Sequence, residues 1–108
     1  MCNHGAVQVL KESLRLHPPV ALFARRLPEA PTDVGGYLLS SAVCRVVVNV
    51  RALHRNPNVW SKPLEFLPER FAKTEKIDPH AFVPFSAGPR MCIGQRFAMI
   101  EGVLILAT

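Results

Sequence analysis

The run Phe85-Ser86-Ala87-Gly88-Pro89-Arg90-Met91-Cys92-Ile93-Gly94 places one cysteine between two glycines, just before a helical pattern that opens at Gln95. Unpaired backbone N–H groups at a helix start, together with the helix dipole, stabilise an anion, so a thiol held there is pushed toward thiolate. Thiolate is the form that ligates iron. Gly88 lets the chain turn where a Cβ would clash, and Gly94 lets the backbone lie close to a flat cofactor. Arg90, two residues before the cysteine, is placed to reach a carboxylate on that cofactor as a charge-assisted pair. Phe85 is placed to shield the sulfur from water, and solvent exclusion and hydrogen bonding at sulfur tune such an iron. Taken alone, Cys92 has a plainer reading, since a free cysteine is commonly a small buried hydrophobe in a turn. Met91 reads as loop packing and Gln95 as surface.

Two helices must position this loop. Residues 6–16 carry Val7, Leu10 and Leu14 at helical spacing on one face, with Glu12 and Arg15 on a different one, until Pro18-Pro19 stops the ladder. From Gln95 a second helix carries Phe97, Ile100, Val103, Leu104 and Ala107 on its apolar side. Between them, residues 20–26 read as short and extended, and a polar loop follows through Pro28, Pro31 and Asp33 to a tight turn at Gly35-Gly36. Residues 37–39 and 45–50 are predicted strands, the second for its β-branched Val46-Val47-Val48 run, with Ser40-Ser41-Ala42 connecting them. A short helix is expected over 50–55. Residues 58–84, with Pro63, Pro68, Pro79 and Pro84, read as a long ordered meander that wraps something or is functional.

Composition bounds the remaining possibilities. The chain has 108 residues, 49% hydrophobic and 19% charged, which suits one globular unit and not a disordered tail. Its net charge of +5 is scattered singly or in pairs with no long basic run, which argues against nucleic acid. Cys2, Cys44 and Cys92 are an odd number with no close pair, so neither a disulfide framework nor a zinc site is suggested, and a reducing compartment fits better. The apolar stretch 97–107 is broken by Glu101 and Gly102 and falls short of the roughly 20 residues that span a bilayer. Met1-Cys2-Asn3-His4-Gly5 does not read as a signal peptide.

The pattern Phe-x-x-Gly-x-Arg-x-Cys-x-Gly at 85–94 resembles the haem-binding loop of the cytochrome P-450 family. Glu12-Ser13-Leu14-Arg15 resembles that family's Glu-x-x-Arg helix, and Pro68-Glu69-Arg70-Phe71 its Pro-Glu-Arg-Phe meander motif, in the same order along the chain. Read without the resemblance, Glu12 and Arg15 are neighbours three residues apart on a helix, an ordinary surface pair worth a few tenths of a kcal/mol. With it, Arg70 is expected to complete a Glu-Arg-Arg cluster that pins the helix to the meander. The implied fold is mainly α with small β-sheets (α+β), the C-terminal part of the family's fold and incomplete. One partial domain is expected over 1–108, with 1–8 an unmatched lead-in that suggests a truncated or misassembled start. Residues 52–57 and 94–98 look most like microsomal members of the fatty-acid-hydroxylating type. Ser40-Ser41-Ala42 stands where the family usually has a Pro-x-Gly turn, which puts the adjacent strand register in question.

The resemblance implies haem b (iron protoporphyrin IX) on Cys92, the sole metal ligand, with Phe85, Gly88, Arg90 and Gly94 also at the cofactor. Thiolate donation to iron favours O–O cleavage, which is why cysteine is used there. Electrons would come from NADPH through a reductase partner, and one oxygen atom of O₂ would enter a small organic, lipid-like substrate. Residues 20–23 would approach the substrate side, and Arg25 or Arg26 would either help Arg90 with a propionate or sit solvated on the surface. His54 is a candidate hydrogen-bond donor behind the site, with a structural role the plainer alternative. No directly catalytic residue is expected in this stretch, because the family's dioxygen-activating helix lies upstream of residues 6–16. The intact protein is expected on the cytosolic face of the endoplasmic reticulum, held by a membrane anchor also upstream. Two other readings remain open: a non-catalytic haem-binding or structural fragment, and a peroxide-using haem-thiolate enzyme. For this polypeptide alone the fragment reading is physically favoured over turnover, since a haem held by one wall leaves its other face in water.

Overall fold

The computed structural model describes residues 4–28, 30–39, 45–72 and 77–108. Cys2, Cys44 and the Ser40-Ser41-Ala42 connection lie outside the described residues. Helix α1 spans His4–Leu16 and so begins two residues before the expected start at 6. It closes with His17 N–H donating to the Ser13 carbonyl at 2.8 Å, ahead of the two prolines. Arg55 donates to the Leu16 carbonyl, placing a cation where the dipole is negative.

The strands form two separate two-stranded antiparallel sheets. β1 (Leu22–Arg26) pairs with β4 (Arg45–Asn49), setting Phe23 opposite Val48 and Arg25 opposite Val46. β2 (Thr32–Val34) pairs with β3 (Tyr37–Leu39) around Gly35-Gly36, whose φ values of 61° and 86° belong to the left-handed region. The β2 segment was expected as loop. Its three residues are too few to show alternation, and the ladder is fixed by the turn, where Asp33 Oδ1 accepts from Gly36 N–H at 3.0 Å. The second predicted strand ends one residue early: Asn49 caps the Ala52 N–H at 2.9 Å, and Val50 opens helix α2 (Val50–Leu53).

After α2 the described residues 54–72 and 77–94 form successive turns, among them a 3₁₀ turn at Pro68–Phe71, and helix α3 follows (Gln95–Ala107). The result is α+β, with three α-helices and two small sheets among the described residues. Its radius of gyration, 16.1 Å, exceeds the roughly 13 Å of a compact chain near this length, so much of it is laid out as wall.

Both long helices turn toward the rest of the molecule a different side from the one their apolar periodicity indicates. In α1 the buried residues are Ala6, Glu12, Arg15 and Leu16, while Val7, Leu10 and Leu14 are only half-buried. The charged pair goes inward because the meander supplies it with partners. No residue of α3 is buried, and Phe97, Ile100 and Leu104 are 61–71% exposed. The α3 side turned to α1 is that of Gly102, where an added Cβ would come within 2.8 Å of Leu10 Cδ2. Among the described residues nothing covers the apolar side.

Candidate functional site

The most densely bonded part of the molecule is a set of charges. Arg15 grips Glu12 with both ends of its fork, Nε to Oε2 and Nη2 to Oε1, each at 2.8 Å, with both side chains fully buried. Its remaining donors reach across the chain to the carbonyls of His54 at 2.8 Å, Pro63 at 2.7 Å and Glu65 at 3.1 Å. Arg70, delivered by the 3₁₀ turn, adds Nε to Glu12 Oε1 at 3.1 Å and bonds to the Ser61 and Lys62 carbonyls at 3.0 and 3.3 Å. Leu67 N–H also donates to Glu12 Oε1, at 2.9 Å. Burial alone would raise the Glu12 pKa, but the bonds from Arg15, the Leu67 N–H and Arg70 outweigh it and hold the carboxyl below its ordinary value. One carboxylate and two guanidinium groups thus tie α1 to four meander carbonyls, the His54 carbonyl and one meander amide.

Trp60, 3% exposed, roofs this cluster. The Arg15 and Arg70 guanidinium carbons lie 5.2 and 5.9 Å from its ring centre, and Phe71 and Phe82 pack against it at 6.0 and 6.4 Å. Sequence reasoning passed over Trp60, although a lone tryptophan in a proline-rich stretch of few apolar residues is a signal for the side chain the stretch folds around. His54 is fully buried, and its Nε2 accepts the Val83 N–H at 2.9 Å. The proton of its neutral ring therefore sits on Nδ1, near the Leu14 and Arg15 carbonyls but without a hydrogen-bond partner. Burial first, then the Arg15 and Arg55 charges, push its pKa down to about 4 against the pull of those carbonyls. His54 thus takes the plainer, structural role, as an acceptor for the segment entering the cysteine loop, and is not the candidate donor behind the site.

The loop is built from short local bonds. Ser86 N–H donates to the Val83 carbonyl at 3.1 Å, Cys92 N–H to the Phe85 carbonyl at 2.9 Å, and Met91 N–H to the Gly88 carbonyl at 3.1 Å. Gly88 turns at φ 79°, and Ser86 takes φ 66°, rare for a residue with a side chain. Gly94 has an ordinary φ of −81°, and its place before Gln95 makes it the N-cap of α3. Arg25 from β1 donates to Ser86 Oγ at 2.5 Å and to the Arg90 carbonyl at 3.3 Å, fastening the first sheet to the loop.

Cys92 is exposed and free, and stands between two depressions. One is a cleft of about 330 Å³ walled by Pro19, Val20, Pro84 and Phe85, with Arg25, Ser86 and Arg90 also lining it. The other is formed by Met91, Cys92, Ile93 and the first two turns of α3. Phe85, Arg90 and Cys92 therefore share one cleft, and Gly88 and Gly94 shape the loop around it. Glu12, Arg15 and Arg70 meet in the separate buried cluster. Arg26, exposed on β1, does not line the cleft.

A cleft with apolar walls, a thiol at its floor and guanidinium groups in its lining suits a flat, largely apolar cofactor with anionic substituents and a metal centre. The Cytochrome P-450 family profile matches residues 6–108. Cytochrome P-450 4V2 of Mus musculus is 48% identical over 92% of this chain, and Cytochrome P-450 4F8 of Homo sapiens is 46% identical over 91%. Cytochrome P-450 3A27 of Oncorhynchus mykiss is 48% identical over 85%. The chain belongs to the cytochrome P-450 family. It spans about a fifth of the length of these relatives, 19%, 19% and 18% respectively. No helix among the described residues is long and apolar enough to cross a membrane.

Proposed function

We propose that this chain forms the thiolate side of a haem pocket in a monooxygenase, with Cys92 the residue that would hold the iron. The observation that carries the reading is the shared cleft: an exposed thiol beside the Phe85 and Val20 walls and the Arg25 and Arg90 cations. The chemistry of these residues suits haem b: apolar side chains for a flat ring, cations for its propionates and a thiol for its iron. Arg90 and Arg25 would hold its propionates, Phe85 would limit water at the sulfur, and the left-handed turn at Gly88 would keep the loop flat beneath the ring. When bound, the haem supplies the dioxygen and electron chemistry of the family, insertion of one oxygen atom into an organic substrate. The chain's own work is to hold sulfur, deny it water and place Val20 to Phe23 beside the cleft. Membership of the family is what supports the rest of this reading: a small organic, lipid-like substrate, electrons from NADPH through a reductase, and residence of the intact protein on the endoplasmic reticulum membrane.

A second reading, for the 108-residue polypeptide by itself, is a haem-binding state that does not turn over. The apolar side of α3 is exposed and the cleft is open, so these residues alone would shield a bound ring incompletely. The test is haem titration of the full chain, reduction, addition of carbon monoxide and recording of the Soret band. A thiolate-type band that Cys92→Ala abolishes is expected. A histidine-type band, or a thiolate band surviving that substitution, would overturn the ligand assignment.

A further inference from the structure

The buried imidazole of His54 has no part in the chemistry proposed above, yet it stands between the charged cluster and the loop. Its own carbonyl accepts from Arg15 at 2.8 Å, and its Nε2 accepts from Val83 N–H at 2.9 Å. Val83 is itself buried, and its carbonyl accepts Ser86 N–H, one residue beyond the Phe85 carbonyl that receives Cys92 N–H. Residues 77–85 have no sheet or helix ladder, so this bond and the packing of Phe82 against Trp60, Phe71 and His54 are what hold their approach to the loop. Phe82, with its ring centre 5.2 Å from the imidazole, packs beside it. We propose that His54 is a positioning residue: its neutral Nδ1–H tautomer holds the Val83 amide, and so sets where the Phe85–Cys92 turn stands against the Glu12 cluster.

A neutral ring is required, because an imidazolium has no lone pair for the Val83 N–H. The charged groups facing it are Arg15 from α1 and Arg55 beyond α2, and residues 81–85 contribute no titratable side chain. Both neighbours are cations, so protonation of His54 is opposed from each side while the fold is intact. The effect on a bound haem rests on the reading above, whereas the positioning of the loop does not.

The test is amide hydrogen exchange on the full chain for wild type, His54→Gln and His54→Leu, using α1 amides as the internal reference. A glutamine carbonyl reaches about as far as Nε2 and gains no proton in this pH range; leucine offers no acceptor. His54→Leu is expected to speed exchange at Val83 and Ser86 roughly tenfold relative to α1, with His54→Gln within about threefold of wild type. After correction for intrinsic rates, wild-type protection at Val83 is expected to fall as pH drops from 6.5 toward about 4, and that of His54→Gln to stay level. Equal exchange in the glutamine and leucine variants overturns the proposal. So does a glutamine pH profile that follows wild type, which decides the matter if His54→Leu fails to fold. The carbon monoxide band of wild type against Cys92→Ala judges the haem reading separately, since exchange at Val83 is read without haem.

Discussion

The Glu12 cluster and the Cys92 loop with α3 invert the usual division between core and surface. The first region is built from Glu12, Arg15, His54 and Arg70, all buried, and is stitched to backbone carbonyls. The second contains the thiol and an apolar helix, and its large side chains, among them Ile93, Phe97 and Leu104, face outward. Rigidity is thus concentrated in hydrogen-bonded charges, away from the sulfur. The apolar surface that would ordinarily supply a core is left for a cofactor or other protein to cover. One region ties the fold together and the other holds the exposed thiol, and the Val83–His54 bond links them.

The sharpest way to break this contrast is to remove one charge from the buried side. Arg15→Ala would leave the buried Glu12 carboxylate with only Arg70 and the Leu67 N–H, both on Oε1, and the His54, Pro63 and Glu65 carbonyls without that donor. Losing one partner of a buried pair costs about 3–5 kcal/mol, a large part of the stability of a domain this size. Urea unfolding followed by circular dichroism should lose its cooperative transition. Replacing Glu12 and Arg15 together by leucines, often harmless for a simple buried pair, is expected to destabilise here as well, because the orphaned carbonyls remain. A double leucine variant as stable as wild type would show that those carbonyl bonds contribute little.

Acid attacks the same region by a second route. The unfolded chain protonates His54 near 6.5 and the folded chain only near 4, so below 6.5 the unfolded state binds more protons. The His54 contribution is therefore complete above pH 6.5 and is lost as pH falls toward 4, by roughly 3 kcal/mol in all. Glu12, held below its ordinary 4.5, adds a further loss as pH drops past that value. Urea midpoints measured between about pH 7 and pH 4 should fall continuously in wild type. In His54→Gln the fall should begin only near 4.5, where carboxylates such as Glu12 take over. A flat wild-type profile down to 4.5 would place His54 in contact with water.

What could be read from the amino acids follows the range of the interactions involved. Both long helices are legible because a 3.6-residue period and the Pro18-Pro19 stop are local. The loop at 85–94 is legible because glycine, proline and cysteine each narrow the backbone or the chemistry by themselves. The family signature in Glu12, Arg15 and Arg70 points to a cluster, but the pair alone looks like a surface pair. What buries it is carbonyls from residues 54–65, some forty to fifty positions away. The role of His54 is hidden for the same reason, since its partner is the Val83 amide 29 residues on. The hairpin at Thr32–Val34 escaped because three residues carry no period, and the inward side of α3 because Gly102 marks a close approach by lacking a side chain.

Gly102 gives a smaller and sharper test of how the two regions are joined. Its Cα faces Leu10 of α1 so closely that the Leu10 methyls would stand 2.8 and 3.0 Å from a Cβ. Gly102→Val is expected to cost about 1–3 kcal/mol by overpacking, measured by urea unfolding. Leu10 ends in flexible methyls, so Leu10→Ala should recover much of that cost, and the two changes should couple strongly in a double-mutant cycle. Additive effects would mean that α3 does not rest on α1 at this point.

The smallest effect is expected on the opposite side of α3, and there a small value is the informative one. Ile100 and Leu104 are 63% and 61% exposed, so Ile100→Gln with Leu104→Gln removes little buried area. The pair should change unfolding free energy by no more than about 0.5 kcal/mol, the range of ordinary surface substitutions. Light scattering should at the same time show reduced self-association, because the substitutions break up a contiguous apolar surface. A loss of 2 kcal/mol or more would mean that this side is buried in solution, and the inversion between a charged interior and an apolar exterior would then fail at α3.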